Sequence, residues 1–146
     1  MMKVREATAE DLGTVLALYG QPELDDGASL ALDDAGAVFD RMRAYPDYRL
    51  YVAELKGQVV GTFTLIVMEN LSHRGAPSGL VESVAVDPGH QGSGIGSAMM
   101  EYARRYCRAR GCYKMSLSSN LRRERAHAFY DGLGFERHGY SFRVAP

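Results

Sequence analysis

The sequence predicts a single α/β domain over residues 1–146, with a mixed, mostly antiparallel sheet flanked by helices. In some segments apolar residues recur at helical spacing, and in others they alternate as on a half-buried strand. Two strand-like segments are joined by the tight turn Lys56-Gly57-Gln58, which is typical of an antiparallel hairpin. A later strand leads through a glycine-rich segment into a long helix and a further strand, which is typical of a βαβ unit.

The first part of the chain predicts a strand, two helices and the hairpin. Thr8 offers an N-cap for the first helix, and Glu10 and Asp11 fall in its first turn, where the helix dipole favours negative charge. The acidic, turn-rich segment 20–31 predicts a loop. The predicted elements are a strand over 3–7, a helix ending at Tyr19, a helix over 33–44, and strands over 49–55 and 59–68.

The second part predicts three strands and two helices, with no repeat and no linker long enough to separate domains. The long helix is expected to end near Arg110, because Gly111 follows it. The order becomes β-α-α-β-β-β-α-β-α-β. The predicted elements are a strand over 80–86, a helix from the glycine-rich segment to 110, a strand over 114–118, a helix over 123–132 and a strand over 135–144.

Composition and charge are those of an ordinary globular protein. Apolar residues make up 46% and the formal net charge is −1, whereas a nucleic-acid binder normally carries a basic stripe. No window reaches the ~20 apolar residues of a membrane span, and the opening MMKVREAT lacks the apolar stretch of a signal peptide. Cys107 and Cys112 have no metal-ligand pattern around them and are interpreted as reduced thiols. We therefore expect a cytoplasmic protein without nucleic-acid, membrane or metal partners.

The segment that carries the chemistry is 81–97, with the sequence VESVAVDPGHQGSGIGS. It combines a strand, a turn, a glycine-rich loop and a helix N-terminus, so several backbone N–H groups point the same way beside the positive end of a helix dipole. Glycines let a phosphate approach the backbone, which favours a pyrophosphate ligand. The spacing Gly92-x-Gly94-x-Gly96 matches neither a P-loop nor the dinucleotide fingerprint. A flexible loop that only caps the helix is the alternative.

Two motifs together resemble a known family. Residues 91–96, QGSGIG, fit the motif Q/R-x-x-G-x-G/A, and residues 128–135, AFYDGLGF, contain Tyr-x-x-x-Gly-Phe. With them the chain resembles the GNAT superfamily of acetyltransferases along nearly its whole length. The resemblance implies that acetyl-CoA is the co-substrate and that two parallel strands, here 80–86 and 114–118, splay apart to form its cleft. It also implies a homodimer as a candidate assembly.

The resemblance assigns CoA contacts to the loop, the strand before it and a later turn. The pantetheine arm is expected to pair like an extra strand with Val84, Ala85 and Val86, because its two amides need exposed backbone partners. Asn120 is expected to contact CoA, with a polar turn residue as the alternative. The residues expected to bind the pyrophosphate are Gln91, Gly92, Ser93, Gly94, Ile95, Gly96 and Ser97.

Acetyl transfer to an amine needs a neutral nitrogen, an oxyanion donor and an acid for the leaving thiolate. Glu82 is the candidate base, direct or through water, because alternation places it on the same side of the strand as Val84 and Val86. A solvated glutamate that orients the substrate is the alternative. Tyr130 matches the family tyrosine and is the candidate acid, since a phenol with a pKa near ~10 is protonated at neutral pH; a core tyrosine is its alternative. The oxyanion donor is expected at the N–H of Val84 or Ala85.

The acceptor is predicted to be the primary amine of a small molecule. His73 and Arg74 precede the cleft strand and are candidate contacts for an anionic group on it, with a solvated loop as the alternative. A polycationic amine is another candidate, because the segment after the first helix carries Asp25, Asp26, Asp33 and Asp34.

Two further sequence similarities restrict the class of acceptor amines that is predicted. Residues 117–130 and 141–143 look similar to aminoalkylphosphonate acetyltransferases, and Gly111-Cys112-Tyr113-Lys114 is similar to glucosamine-phosphate acetyltransferases. Both groups acetylate amines attached to an anionic moiety, which predicts such an acceptor here. A peptide or protein N-acetyltransferase and a non-catalytic acyl-CoA-binding module remain the alternatives.

Overall fold

The computed structural model describes residues 1–22, 24 and 29–146. These residues group into two compact units, Met1–Ser116 and Leu117–Pro146, which are described in turn. The single domain expected from the sequence stays a prediction. Within the described ranges, no helix has the length and apolar character needed to cross a membrane.

Among the described residues, the first unit contains a five-stranded sheet in the order β1-β2-β3-β4-β5, flanked by helices. Strands β1 to β4 pair antiparallel with their neighbours, whereas β4 and β5 are parallel. This arrangement confirms the predicted fold class. The elements are β1 (Met2–Glu6), α1 (Leu12–Tyr19), α2 (Leu32–Ala44), β2 (Tyr48–Leu55), β3 (Gln58–Met68), β4 (Ser78–Val86), α3 (Ile95–Ala109) and β5 (Lys114–Ser116).

Helices α1 and α2 cover one face of the sheet. Leu50 and Val52 alternate on β2 and are buried with Leu12 and Val15 of α1 and Phe39 of α2. These spacings agree with the two-residue period of a strand and the period of about 3.6 residues of a helix. This apolar contact places α1 and α2 on one side of the central strands.

Asp11 stabilises the turn that precedes α1. Thr8 is the N-cap of a short 3-10 turn, Ala9–Asp11, that leads into α1. The Asp11 carboxylate accepts hydrogen bonds from the Thr8 backbone N–H at 2.7 Å and from the Arg5 guanidinium at 2.8 and 2.9 Å. The Arg5 hydrogen bonds hold the pKa of Asp11 below its usual range, so this carboxylate stays charged.

Helix α3 covers the other face, and its close approach depends on two glycines in the sheet. A Cβ on Gly61 would lie 2.8 Å from Ile95 Cγ2 and 3.0 Å from Met99 Sδ, and a Cβ on Gly79 would overlap Cys107 Sγ. Burial of the Cys107 thiol raises its pKa to about 12. Glycine at these positions therefore lets the first and last turns of α3 lie directly on the strands.

Replacing Gly79 by alanine is expected to lower the free energy of unfolding by about 1–3 kcal/mol, the usual cost of overpacking a dense core. Urea denaturation of the purified protein measures this change. A second substitution, Cys107→Ala, removes the sulfur atom that the new methyl group meets and should recover part of the loss. Gly36→Ala is the matched control, because a Cβ there meets nothing within 4 Å. A Gly79→Ala protein as stable as the Gly36→Ala protein would contradict the packing argument.

The second unit contains helix α4 (Glu124–Gly132). Tyr130 packs edge-on against Phe129 and Phe135, with ring centroids 5.2 and 5.5 Å apart. The backbone N–H of Phe135 donates to the Tyr130 carbonyl at 3.0 Å, and Gly134 has a φ of 87°. The chain thus turns back over the last turn of α4, and Phe135 packs against the Tyr130 ring.

Two predictions about the last strands are wrong. Residues 135–144 are all described and carry no strand, and the strand predicted over 114–118 ends at Ser116. The alternating side chains Tyr140, Phe142 and Val144 are exposed. Alternation shows that a segment could pair on one face, but it does not provide a partner strand.

Candidate active site

An irregularity in β4 lies at the centre of the candidate site. The register with β3 pairs Thr64 with Glu82 and Thr62 with Ala85, so Ser83 and Val84 lie together opposite one residue of β3. Ser83 has a φ of 53°, in the left-handed region that non-glycine residues seldom occupy. This is a β-bulge, which interrupts the alternation of side chains along the strand.

The bulge overturns one prediction about side-chain direction. Cross-strand partners share a face, and Thr62 and Thr64 are two residues apart, so Glu82 lies on the same face as Ala85. Val86, the neighbour of Ala85, points to the opposite face. The predicted placement of Glu82, Val84 and Val86 on one side is therefore wrong.

The face that carries Glu82 is the one covered by α1 and α2. Leu50 pairs with Thr64 across β2 and β3, and Leu50 belongs to the core under these helices. The Thr64 hydroxyl donates to the Glu82 carbonyl at 3.1 Å, and the Glu82 side chain is exposed. The carboxylate is thus accessible beside the bulge on the α1–α2 side.

The backbone of β4 has an open edge beyond Leu80. Strand β5 pairs with Ser78, Gly79 and Leu80 only, and within the described residues no strand pairs with the rest of β4 on that side. The parallel strands β4 and β5 thus separate after three paired residues. This separation agrees with the predicted cleft between two splayed parallel strands.

The direction of the free backbone groups follows from the ladder. The Asp87 N–H donates to the Val60 carbonyl at 2.8 Å. Because hydrogen-bonded pairs alternate in an antiparallel ladder, Ala85 bonds to β3, whereas the N–H and C=O of Val84 and Val86 point to the open edge. The Gln21 side chain donates to the Val86 carbonyl at 3.0 Å, in agreement with this direction. The Val84 backbone and the Val86 N–H therefore lie along the cleft.

The glycine-rich loop follows the end of β4 and leads into α3. Gly92 and Gly94 have φ values of 80° and 81°, which suit glycine and strain other residues. Gly94 is the N-cap of α3, and the Ala98 N–H makes the first bond of the helix, to the Gly94 carbonyl at 3.0 Å. The N–H groups of residues 94–97 precede that bond and have no acceptor within the helix. They form an anion-binding terminus of the kind expected for a pyrophosphate.

The turn that connects β4 to this loop is fixed by Asp87. Its carboxylate accepts from the Gly89 N–H at 3.3 Å and contacts His90 Nδ1 at 2.7 Å. The hydrogen bond with His90 holds the pKa of Asp87 below its usual range. The remaining predicted loop residues, Gln91 and Ser93, lie between this turn and Gly94.

Two cavities adjoin the bulge on the α1–α2 side. One, of about 260 Å³, is lined by Tyr19, Leu24, Ser83 and Val84. The other, of about 270 Å³, shares Tyr19 and Ser83 and extends between α1, α2 and the sheet. Burial raises the pKa of Tyr19 to about 12, and its hydroxyl lies near Thr62 and Ser83. Among the described residues that hydroxyl has no partner in hydrogen-bond geometry.

The predicted acceptor contacts lie elsewhere. His73 and Arg74 form a short 3-10 turn with Gly75 before the first residue of β4, so they stand at the opposite end of this strand from the glycine-rich loop. The His73 ring stacks on Tyr113 at a centroid distance of 3.7 Å. The role of His73 and Arg74 stays a prediction.

The acidic candidates divide into two pairs. Asp25 and Asp26 lie outside the described residues. Asp33 and Asp34 are exposed in the first turn of α2, where negative charge is favoured by the helix dipole.

Asn120 and Tyr130 belong to the second unit. The Asn120 side chain accepts from the Arg122 backbone N–H at 2.9 Å, and its carbonyl accepts from the Arg123 N–H at 3.0 Å, as in a polar turn before a helix. Burial raises the pKa of Tyr130 above its ordinary value. Its phenol is therefore protonated at neutral pH.

Three residues near the bulge, Tyr19, Gln21 and Ser83, were not predicted as site residues from the sequence. Tyr19 is the last residue of the first predicted helix and of α1, and this position was the available signal. Gln21 and Ser83 gave no signal, because their roles depend on contacts with β4 and on the bulge.

Comparisons with known proteins agree with this geometry. A sequence model described as the acetyltransferase (GNAT) family matches residues 17–135. A glucosamine 6-phosphate N-acetyltransferase from Trypanosoma brucei brucei is 29% identical and is aligned over 98% of this chain and 95% of its own. An aminoalkylphosphonate N-acetyltransferase from Salmonella typhimurium is 30% identical, over 98% and 90% of the two chains. The crystal structure of a Trypanosoma brucei acetyltransferase superposes with a TM-score of 0.84 at 27% identity, over 100% of both chains.

An open strand edge beside an anion-binding helix terminus offers partners for the amides and the pyrophosphate of an acyl-CoA. The extent of the family match identifies the chain as a member of the acetyltransferase (GNAT) family. It is an acetyl-CoA-dependent N-acetyltransferase that acts on amines.

Proposed function

We propose that this protein transfers the acetyl group of acetyl-CoA to the primary amine of a small molecule. The observation that carries the proposal is the continuity of β4 with the loop: the Val84 backbone and the Val86 N–H line the open edge, and Gly92 and Gly94 follow at the end of the same strand. Acetyl-CoA presents its groups in the matching order, with the thioester first, then two amides, then the pyrophosphate. The strand edge supplies partners for the amides and the helix terminus for the phosphates.

In the proposed acetyl transfer, Glu82, the Val84 backbone and Tyr130 each have one role. Glu82 takes a proton from the substrate ammonium, directly or through water, and the nitrogen lone pair then attacks the thioester carbon. The Val84 N–H donates to the oxygen that becomes negative; Val84 is favoured over Ala85 because the Ala85 N–H faces β3. When the C–S bond breaks, Tyr130 protonates the CoA thiolate, and the excess proton that the attacking nitrogen still carries passes through solvent to the Tyr130 phenolate. The proton held by Glu82 is released to solvent. The products are the N-acetylated amine and CoA.

The acceptor has a second, narrower candidate: a primary amine attached to a phosphate or phosphonate. It is favoured by the names of two relatives, which act on glucosamine 6-phosphate and on aminoalkylphosphonates. His73 and Arg74, the side chains predicted for the anionic group, are distant from the loop along β4, so this candidate depends on the relatives.

The test is release of CoA from acetyl-CoA across a panel of primary amines and peptides. Release that requires an amine is expected, and Glu82→Gln should lower kcat/KM by about 10²–10⁴-fold, the usual contribution of a general base. Glu101→Gln, an exposed glutamate on α3, is the matched control. Tight acetyl-CoA binding without release on any amine or peptide would favour a non-catalytic acyl-CoA-binding module instead.

The oligomeric state and the cellular location are also proposed. We propose a homodimer in the cytoplasm, as the family resemblance and the sequence composition imply. Light scattering of the purified full chain over a range of concentrations tests the dimer, and cell fractionation tests the location.

A further inference from the structure

We propose that the acceptor amine carries a small, uncharged, apolar body that occupies the cavities on the α1–α2 side of the sheet, with its nitrogen against the Tyr19 hydroxyl. The inference rests on the proposed function and narrows its substrate class to hydrophobic primary amines. This class differs from the phosphate- and phosphonate-bearing acceptors named for the two relatives.

The chemistry of the cavity lining favours an apolar ligand. Within the described ranges, the side chains that line both cavities carry no charge. The lining is aliphatic and aromatic, and its polar side-chain atoms are the hydroxyls of Tyr19, Ser29, Tyr48, Thr64 and Ser83. A phosphate group placed there would lose its hydration without gaining a cation, which is a large penalty. An apolar group gains by leaving water.

Several apolar side chains that line the larger cavity are accessible. Leu16, Val38 and Met42 are only half-buried, and Leu30 is 43% exposed, although all four line the larger cavity. Accessible apolar side chains around a concave surface are typical of ligand sites. Cavities of about 260 and 270 Å³ lie just below the roughly 300–1,000 Å³ of common ligand pockets, so the acceptor is small.

The Tyr19 hydroxyl determines the proposed orientation of the amine. Tyr19 and Ser83 line both cavities, and the Tyr19 hydroxyl is buried without a hydrogen-bond partner among the described residues. An unpartnered buried hydroxyl is costly, and an N–H donor from the substrate relieves that cost. Ser83 precedes Val84, the proposed oxyanion donor, so an amine held at Tyr19 is adjacent to the bulge where acetyl transfer is proposed.

The first test compares kcat/KM of the wild-type full chain for four amines: 2-phenylethylamine, n-hexylamine, 2-aminoethylphosphonate and glucosamine 6-phosphate. The two apolar amines are expected to exceed the two anionic ones by on the order of 10-fold or more, because an apolar pocket discriminates by the hydrophobic groups it buries. A preference for either anionic amine would overturn the inference and leave the proposed function intact. Absence of transfer to all amines, with acetyl-CoA still bound, would overturn the proposed function and the inference with it.

The second test changes the lining. Val38→Arg places a cation in the larger cavity and is expected to lower kcat/KM for 2-phenylethylamine by about 10-fold or more while raising it for 2-aminoethylphosphonate. Ala37→Arg, at an exposed position of the same helix, is the matched control. An unchanged KM for acetyl-CoA in both variants shows that they are folded. Equal amine kinetics in the two variants would overturn the assignment of the cavity.

The third test removes the hydroxyl. Tyr19→Phe is expected to raise KM for 2-phenylethylamine by about 10-fold, the equivalent of one hydrogen bond to a charged group, without changing KM for acetyl-CoA. Tyr45→Phe, in which the original side chain is 59% exposed, is the control. An amine KM that is unaffected by Tyr19→Phe would overturn the proposed position of the nitrogen.

Discussion

Replacing Tyr130 by phenylalanine is expected to lower kcat by about 10²–10⁴-fold, the usual contribution of a positioned general acid. The substitution keeps the ring that packs against Phe129 and Phe135 and removes only the hydroxyl, so folding should change little. KM for acetyl-CoA and for the amine should also change little, because the acid acts on the thiolate that forms as the C–S bond breaks. Steady-state kinetics with the best amine of the panel measures all three constants.

The control for this substitution is Tyr140→Phe in the same unit, whose original side chain is 89% exposed. It should retain wild-type kcat. If Tyr130→Phe also retains wild-type kcat, Tyr130 is a packing residue and the acid lies elsewhere. If both kcat and the free energy of unfolding fall in parallel, the loss of activity reflects folding rather than proton transfer.

The pH profile separates these cases further. Burial raises the pKa of Tyr130 above its ordinary value of 10.0, and the acid works only when it is protonated. Activity that depends on Tyr130 is therefore fully present at neutral pH and is lost as pH rises through that raised pKa. The wild type should show this decline only above about pH 10, and the low residual rate of Tyr130→Phe should not show it.

Local sequence signals were sufficient for the part of the site formed by contiguous residues. Residues 87–97 carry the turn, the glycines and the helix start in one stretch, and the structure places Gly94 at the N-cap of α3. The hairpin was predictable for the same reason, since the turn at Lys56 and Gly57 joins β2 directly to β3. Each of these features depends on the backbone preferences of a few neighbouring residues.

The bulge was not predictable, because it depends on how two strands pair. Nothing at Ser83 signals a positive φ, and the sequence pattern predicts uninterrupted alternation from Glu82 to Val86. One extra residue reverses the face of every later side chain on the strand. The bulge also turns the Val84 backbone to the open edge and brings Ser83 beside Tyr19. The irregularity that the sequence did not reveal therefore creates both the proposed oxyanion position and the proposed acceptor position.

The last predicted strand failed for a related reason. Tyr140, Phe142 and Val144 alternate with polar residues, which is the correct pattern for a half-buried strand. A strand is stabilised by hydrogen bonds to a neighbour, and a single sequence does not report which neighbour is present. Residues 135–144 carry the pattern without the pairing.

Replacing Gly94 by valine is expected to weaken CoA binding by about 10–100-fold, measured as Kd by isothermal titration. Gly94 has a φ of 81°, and a β-branched residue in that region is a genuine outlier. Relaxation of this strain would turn the N-cap amide and the N–H groups of the first helical turn away from the pyrophosphate. The loss of one such hydrogen bond to a charged group costs roughly 1.5–3 kcal/mol, and each 1.4 kcal/mol is about tenfold in Kd.

Gly57→Val is a closely matched control for this prediction. Gly57 has a φ of 80° in the β2–β3 turn, and at both positions a Cβ meets nothing within 4 Å. The two variants therefore introduce the same left-handed strain, about 1–2 kcal/mol, and should lose similar stability. Only Gly94→Val should lose affinity for CoA, because only Gly94 belongs to the proposed anion-binding terminus. Equal CoA affinities in the two variants, at equal stability, would show that the glycine-rich loop caps α3 without binding the pyrophosphate.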